Sequence, residues 1–363
     1  IWMTRYIVLG VILLGTIGMH WGHSAFGIVV PSVHSVCPGG GLENLWVWFQ
    51  GEKNIQKIFA GTMTLFFLTV FMGIILGRTF CGNICPFGAL FEFVGKLNSK
   101  KIKISEAMNK KLSYLKYGVL VAMVGMAWAT HSLWISAFGP YYGMSHVWEG
   151  VGLLDEAPIA ALVLVLVIIG AFFIERFFCR YLCPVGAFYS LFNKFSPLKV
   201  KREKDCYQCG KCSAACPMGI DVKSVEVVNN PECIECGLCV DACPKPGEFL
   251  QMEWFGKMMK PVSIMAISVL LFFGGLFVAN QVGMFTVTAP SVSSVTQSGM
   301  FLVAADLRGS MTIENAAKYT GKELKEFYQW MEIPESVPKE TTLKGITAIF
   351  PDYSFEKIKE TKK

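Results

Sequence analysis

Residues 78–90 read RTFCGNICPFGAL and residues 176–188 read RFFCRYLCPVGAF, and each segment closes a long apolar run. Arg78, Phe80, Cys81, Cys85, Pro86, Gly88 and Ala89 return as Arg176, Phe178, Cys179, Cys183, Pro184, Gly186 and Ala187, every one displaced by 98 positions. Such a chain is an internal repeat, and its two copies are expected to bring their cysteines to one place. Cysteines at i and i+4 lie on one face of a helix. The proline behind the second disfavours helical geometry there and opens a new segment. Each motif is therefore read as a corner, from a transmembrane helix into an interfacial one. One corner offers two thiolates and two corners offer four, which suits a shared iron–sulfur cluster of either two or four irons. Buried structural cysteines, or a redox-active thiol pair, are the other readings of the same residues.

Five apolar stretches have the ~20 residues that a bilayer crossing needs; they lie near 6–26, 57–77, 116–137, 157–176 and 261–280. The chain is 53% hydrophobic and only 17% charged, well below the ~25% of a soluble protein. The connection 78–115 carries Arg78, Lys96, Lys100, Lys101, Lys103, Lys110 and Lys111, whereas 138–156 has no lysine or arginine. The positive-inside rule then puts the N-terminus, both cysteine–proline motifs and 177–260 in the cytoplasm, and the tail outside. The repeat also extends backwards. Arg5-Tyr6, His20 and SAFG at 24–27 answer to Lys116-Tyr117, His131 and SAFG at 136–139. Two in-out-in hairpins related by an axis along the membrane normal are expected.

Between the fourth and fifth stretches, CYQCGKCSAACP supplies Cys206, Cys209, Cys212 and Cys216, and CIECGLCVDACP supplies Cys233, Cys236, Cys239 and Cys243. Both follow the C-x2-C-x2-C-x3-C-P spacing of two-cluster ferredoxins. Three thiolates on a tight loop cap three corners of a cube, and the fourth reaches the other cluster. The expected ligands are Cys206, Cys209, Cys212 and Cys243 for one [4Fe-4S] cluster, and Cys233, Cys236, Cys239 and Cys216 for the other. Paired zinc knuckles would use a different grouping.

The chain is thus read as an α-helical integral membrane protein: two repeated transmembrane hairpins, a fifth helix and a small α+β two-cluster ferredoxin insert. The boundaries are 1–115 and 116–200 for the hairpins with their CxxxCP motifs, and 201–255 for the cytoplasmic insert. Residues 256–283 form the fifth transmembrane helix and 284–363 an extracytoplasmic helical module. Within that module Thr312 should cap a helix closing at Gly321, and Leu324, Phe327, Tyr328 and Met331 form the apolar stripe of a second. Its ten basic and ten acidic residues balance, so nucleic-acid binding has no electrostatic support.

Helix-end CxxxCP motifs occurring twice, followed by the doubled C-x2-C-x2-C-x3-CP insert, resemble the membrane polyferredoxins of the NapH and NosR type over residues 57–250. The resemblance implies electron transfer at the cytoplasmic face, linking a quinone pool to a redox partner across the membrane. Expected partners are a cytoplasmic redox protein or subunit and a quinone or extracytoplasmic redox partner, with a flavoprotein among the candidates. Membrane lipid surrounds the helices. The long first outer connection and the fifth helix with its tail depart from the family pattern.

Cys37, in the outer connection as CPGGGL, echoes CPFGAL at 85–90 without the companion cysteine. It reads either as a packing residue or as a contact to a cofactor or partner, beside His34 and Glu43. All five histidines (His20, His23, His34, His131 and His146) map to the outer half or outer loops. His20 and His131 each stand 15 positions beyond a basic anchor, about 22 Å up a helix at 1.5 Å per residue. They are expected to face the interior and meet a quinone or a haem, unless they only bond neighbouring carbonyls. The function expected is a membrane electron-transfer subunit of an oxidoreductase complex, quinol dehydrogenase included. The competing classes are an assembly or regulatory protein for another metalloenzyme, and a redox subunit of an ion-translocating complex.

Overall fold

A computed structural model describes residues 2–26, 37–50, 60–98, 100–102, 104–131, 133, 138–145, 147, 158–285, 307, 309, 311–343, 345–350, 353, 355 and 358. They fall into two units, 1–288 and 289–363. In the first, the helices run α1 (Trp2–Phe26), α2 (Pro38–Phe49), α3 (Ala60–Leu76), α4 (Thr79–Asn83), α5 (Pro86–Leu97), α6 (Glu106–Ser113), α7 (Leu115–Thr130), α8 (Pro140–Ser145), α9 (Pro158–Phe173), α10 (Phe177–Tyr181) and α11 (Pro184–Asn193).

The repeat is visible in how these helices pack. Within the copies, α5 packs on α1 and α11 on α7. Between them, α5 packs on α9 and α11 on α3. Swapped contacts of this kind are what a two-fold relation between the copies requires.

Among the described residues, two helices are long and apolar enough to cross a membrane, Ala107–Thr130 and Pro261–Gln281, and three shorter ones are apolar, Met3–Met19, Gly61–Leu76 and Pro158–Phe173. Five full crossings were expected. A helix of 16 or 17 residues rises only about 25 Å, short of a ~30 Å hydrocarbon core. Residues 51–59 and 151–157, which precede α3 and α9, lie outside the described residues. The third stretch also stops early: α7 ends at Thr130, where His131 adopts left-handed geometry with φ 51°.

Beside an apolar core, the helices expose large apolar side chains and bury several charges. Met3, Ile7, Val11 and Leu14 of α1, and Leu162, Val165, Leu166 and Ile169 of α9, face outward, while Arg5, Arg78, Glu92, Lys116 and Arg176 are buried. Charged side chains are otherwise almost never fully inside unless paired.

The insert begins with β1 (Leu198–Arg202), then the short α12 (Lys211–Ala214), β2 (Val227–Val228), α13 (Leu238–Asp241), β3 (Leu250–Trp254) and β4 (Lys257–Met259). The strands form one antiparallel sheet in the order β2-β1-β3-β4, with Val200 opposite both Val228 and Met252. The alternating inward residues Leu198, Val200, Leu250 and Met252 make its core, which continues into Leu76 of α3 and Ile264 of α14 (Pro261–Gln281). The insert therefore shares one core with the helices.

The second unit has its own core around Ile313, Phe327, Met331, Val337 and Leu343. Thr312 caps α15 (Ile313–Thr320), its hydroxyl accepting from the Asn315 amide, and Gly321 closes it in left-handed geometry. The helices α16 (Leu324–Trp330) and α17 (Ile346–Ile349) follow. Of the expected stripe, Phe327, Tyr328 and Met331 are buried and Leu324 is exposed.

Candidate functional site

The cysteine–proline corner is built differently from a simple helix end. In the first copy α3 stops at Leu76, Gly77 turns left-handed (φ 64°), and Cys81 sits on the one-turn helix α4. The amides of Ile84 and Cys85 then both bond back to the Phe80 carbonyl. Cys85 caps α5 with Pro86 in its first turn, and its thiol accepts from the Gly88 amide; Cys183 does the same for α11 through Gly186. Cys37 is likewise the residue before a helix opened by proline, α2, though without a side-chain cap bond. The sequence echo between CPGGGL and CPFGAL is thus an echo of local structure.

Three of the four motif cysteines share one apolar cluster, and the fourth, Cys81, lies in another. Burial pushes the Cys179 thiol up to about 12, eased by Arg176 and raised further by the thiols of Cys85 and Cys81. Burial also raises Cys183, with Cys179, Cys81 and Cys85 adding to it. Cys85, Cys179 and Cys183 pack against Phe87, Phe91 and Phe178. Cys81 turns the other way, into the core that also holds Cys216, Cys233, Cys236, Cys239 and Cys243.

The two insert loops share one backbone path. Gln208 and Glu235, each just before the second cysteine, have φ of 50° and 49°, and Gly210 and Gly237, just after it, are also left-handed. A non-glycine residue in that region costs about 1–2 kcal/mol, a strain that suits a loop wound around a ligand. Burial raises the Cys233 thiol, with Glu235, Cys239 and Cys216 adding. It raises Cys216 to about 11, beside Cys236. Cys216, from the first loop, lines the same small cavity as Cys233, Cys236 and Cys239 of the second. Cys209 and its neighbour Tyr207 are exposed. Glu235 is buried and pushed up to about 7 by that burial.

The donor set fits iron–sulfur chemistry. All thirteen cysteines are free. Among the described residues no three of His, Cys, Asp and Glu stand closely enough to hold a single ion.

Two buried ionic triads flank the motifs. Arg5 of α1 and Arg176 of the second copy converge on Glu92 of α5, at 2.7 Å and 2.6 Å, and Tyr6 donates to the same carboxylate. These guanidinium groups also hold the site's backbone: Arg5 donates to the Gly82 carbonyl at 2.7 Å and Arg176 to that of Cys81 at 2.9 Å. Burial pushes the Glu92 carboxyl up, but Arg176 and Arg5 outweigh it and hold it well below the usual range. On the other side Arg78 (3.0 Å) and Lys116 converge on Glu232 of the insert, and Tyr117 donates to it at 3.4 Å. Arg176 and Arg78 each reach across to the other copy. A Cβ on Gly88 would meet Arg176 at 3.0 Å, and one on Gly186 would meet Arg78 at 2.9 Å. This fixes both glycines of the repeated CPxGA. Sequence reading missed both triads.

The insert lies directly on α4. A Cβ on Gly82 would stand 2.2 Å from the Ile234 carbonyl, while the equivalent residue in the second copy is Arg180, which donates to Asn109 Oδ1 at 2.8 Å. Gly82→Ala should therefore lift the second ligand loop and cost about 1–3 kcal/mol, as overpacking does. A thermal melt of the purified variant equal to that of the parent would disprove this close approach.

Behind Cys85 is an apolar cavity of about 430 Å³, within the range of small-molecule sites. It is lined among others by Ile12, Cys37, Leu65, Phe87, Tyr141, Leu164 and Phe272. The Tyr141 hydroxyl lies 3.5 Å from the Cys85 sulfur, its ring stacked on Phe87. Burial pushes Cys37 up to about 12, with Glu43 and the Cys85 thiol among its neighbours. Cys37 is thus brought to the site. His131 is not: its side chain is exposed rather than turned inward, because α7 ends one residue earlier and the backbone leaves the helix face. The side chains of His20 and His23, and residues His34 and His146 altogether, lie outside the described residues.

Comparison with known proteins bears on this geometry. The family described as "4Fe-4S binding domain" matches twice, at 59–105 and 156–203, one match on each CxxxCP copy. The "4Fe-4S dicluster domain" matches 198–244. An uncharacterized protein of Methanocaldococcus jannaschii, MJ0750, is 34% identical over 178 residues, which cover 47% of this chain and 72% of that protein. YccM of Escherichia coli, whose name points to electron transport, is 30% identical over 203 residues, 50% of this chain and 56% of its own. The regulatory protein NosR of Pseudomonas aeruginosa is 28% identical over 186 residues, 46% of this chain but 24% of its own. The match thus spans little more than half of YccM and a quarter of NosR. No solved structure matches. With its iron–sulfur motifs, the chain belongs to the membrane-associated, polyferredoxin-type electron-transport proteins.

Proposed function

We propose that the chain is an integral membrane electron relay, with five crossings and three clusters. One observation carries the reading: Cys81 of the first hairpin packs in the same apolar core as the second ligand loop of the insert, while Cys85, one motif step away, lines the cavity. Cys206, Cys209, Cys212 and Cys243 would hold the outermost cluster, near the exposed Cys209. Cys233, Cys236, Cys239 and Cys216 would hold the next, and Cys81, Cys85, Cys179 and Cys183 the one shared between the hairpins. When bound, such clusters supply one-electron carriers. The protein's own part is to keep the thiols dry, to fix the corner through Arg5 and Arg176, and to bring the insert against α4. Outward apolar faces on α1 and α9 over buried charges support a lipid setting.

The cavity suits a quinone: its walls are apolar, and the Tyr141 hydroxyl and the Cys85 thiol meet in its lining. Anaerobic addition of a short-chain quinol to the purified, cluster-bearing protein should reduce the clusters, two electrons and two protons leaving each quinol. Leu164→Trp, which fills the cavity, should slow this about tenfold or more and leave dithionite reduction intact. Equal rates in the parent and the variant would refute the quinone site. The name of NosR favours one second reading, a regulatory role; a chain whose clusters no quinol reduces would support it.

The lysine and arginine bias supports a topology with 201–255 in the cytoplasm and 284–363 outside. Protease added to intact cells should trim the tail and spare the insert. Cleavage within 201–255 under those conditions would reverse the topology.

A further inference from the structure

The two triads are built alike but not from the same parts. Arg176 and Arg78 are repeat-equivalent, and Arg5-Tyr6 answers to Lys116-Tyr117. The carboxylates are not equivalent. Glu92 belongs to the first copy, and the position 98 residues on is Ser190. Ser190 is buried, and its hydroxyl lies 2.7 Å from that of Tyr117, in the part that Glu92 plays beside Tyr6. The charge it lacks comes from Glu232 of the insert. A second departure stands three residues on, where Gly95 is answered by Asn193. Asn193 donates to the carbonyls of Asn230, Pro231 and Cys233, at 3.2, 3.3 and 2.9 Å, and accepts from the Arg78 amide at 3.4 Å. These two departures of α11 from α5 thus bear on one segment of the insert, 230–233, Asn193 directly and Ser190 through Tyr117, and that segment leads into Cys233.

We infer that the second half-site is a socket: Ser190 leaves a carboxylate place empty beside Arg78 and Lys116, and Glu232 fills it, so that the insert docks on one half of the repeat in one orientation. Glu232 is then a positioning residue, setting the loop of Cys233 and Cys236 against Cys81. A symmetric pair of half-sites, each with its own carboxylate, would satisfy both cation pairs and leave the insert no key. The inference rests on the proposed reading only for the purpose of docking, which is electron passage; docking itself can be read separately.

The test uses the full chain in detergent and follows amide hydrogen exchange over 229–236 together with thermal stability. Glu232→Gln should lower the melting temperature and raise exchange in that segment about tenfold or more, with Glu232→Asp partly restoring both. Adding Ser190→Glu to Glu232→Gln should restore the melting temperature, because the second triad then matches the first, but leave 229–236 exchanging fast. Weakened spin coupling between the insert and hairpin clusters should accompany that state. Restored protection of 229–236 in the double variant would overturn the inference. So would a double variant no more stable than Glu232→Gln, or one that fails to fold. A relay that fails to accept quinol electrons while this pattern holds would count against the proposed function alone.

Discussion

Serine at Cys81 and Cys179 together is expected to strip the chain of one cluster's iron and sulfide and to leave the other two in place. Each motif contributes two thiols, and a shared site would draw on all four, so one site is expected rather than two. Removing one ligand from each motif leaves Cys85 and Cys183, too few to hold a cluster that takes four. Iron should fall from ~12 to ~8 per chain if the shared site is a cube, and from ~10 to ~8 if it holds two irons. The same assay thereby settles its nuclearity. The insert should keep its signals, because its thiols lie on their own strained loops at Gln208 and Glu235. Iron and sulfide contents equal to those of the parent would eliminate the shared site.

What the sequence made legible was what is local or periodic. The insert's ligand spacing spans a dozen residues, and its two loops share one backbone path. The 98-residue repeat was also plain, and the corner at each CxxxCP follows from proline chemistry. The helix α2 was hidden. Its Pro-Gly-Gly-Gly start reads as a loop, yet a Cβ on Gly41 would lie 2.4 Å from Phe66, so the small residues are there to let α2 close on α3. The triads were hidden for another reason: Glu92 finds its partners 87 and 84 residues away, and nothing in a one-dimensional pattern pairs them. One signal was available. At the 98-residue offset, a glutamate stands against a serine and a glycine against an asparagine. His131 shows a different limit. A depth calculation along an ideal helix ignores where the helix ends, and α7 stops just short of His131.

Glu92→Gln is expected to destabilise the first unit by about 3–5 kcal/mol, the usual cost of removing one partner from a buried ion pair. The carboxylate is 1% exposed and Arg5 and Arg176 are 3% and 0% exposed, so water cannot replace it. Two guanidinium charges would be left with one amide oxygen between them. For a unit of this size that is a fall of roughly 10 °C in melting temperature. Because the same groups hold the Cys81 and Gly82 carbonyls, the corner should loosen with the triad. The shared cluster should then leave the variant before those of the insert. The pH dependence carries the sign of the mechanism. The Glu92 carboxyl is held below its unfolded value of ~4.3, so its stabilisation is complete above that value and drains away as pH falls toward the folded one. The parent should lose stability on acidification below pH ~4.3, and the glutamine variant should lose less over the same range. A variant that melts with the parent at neutral pH, or shows the parent's full acid sensitivity, would mean that the triad does not hold the corner.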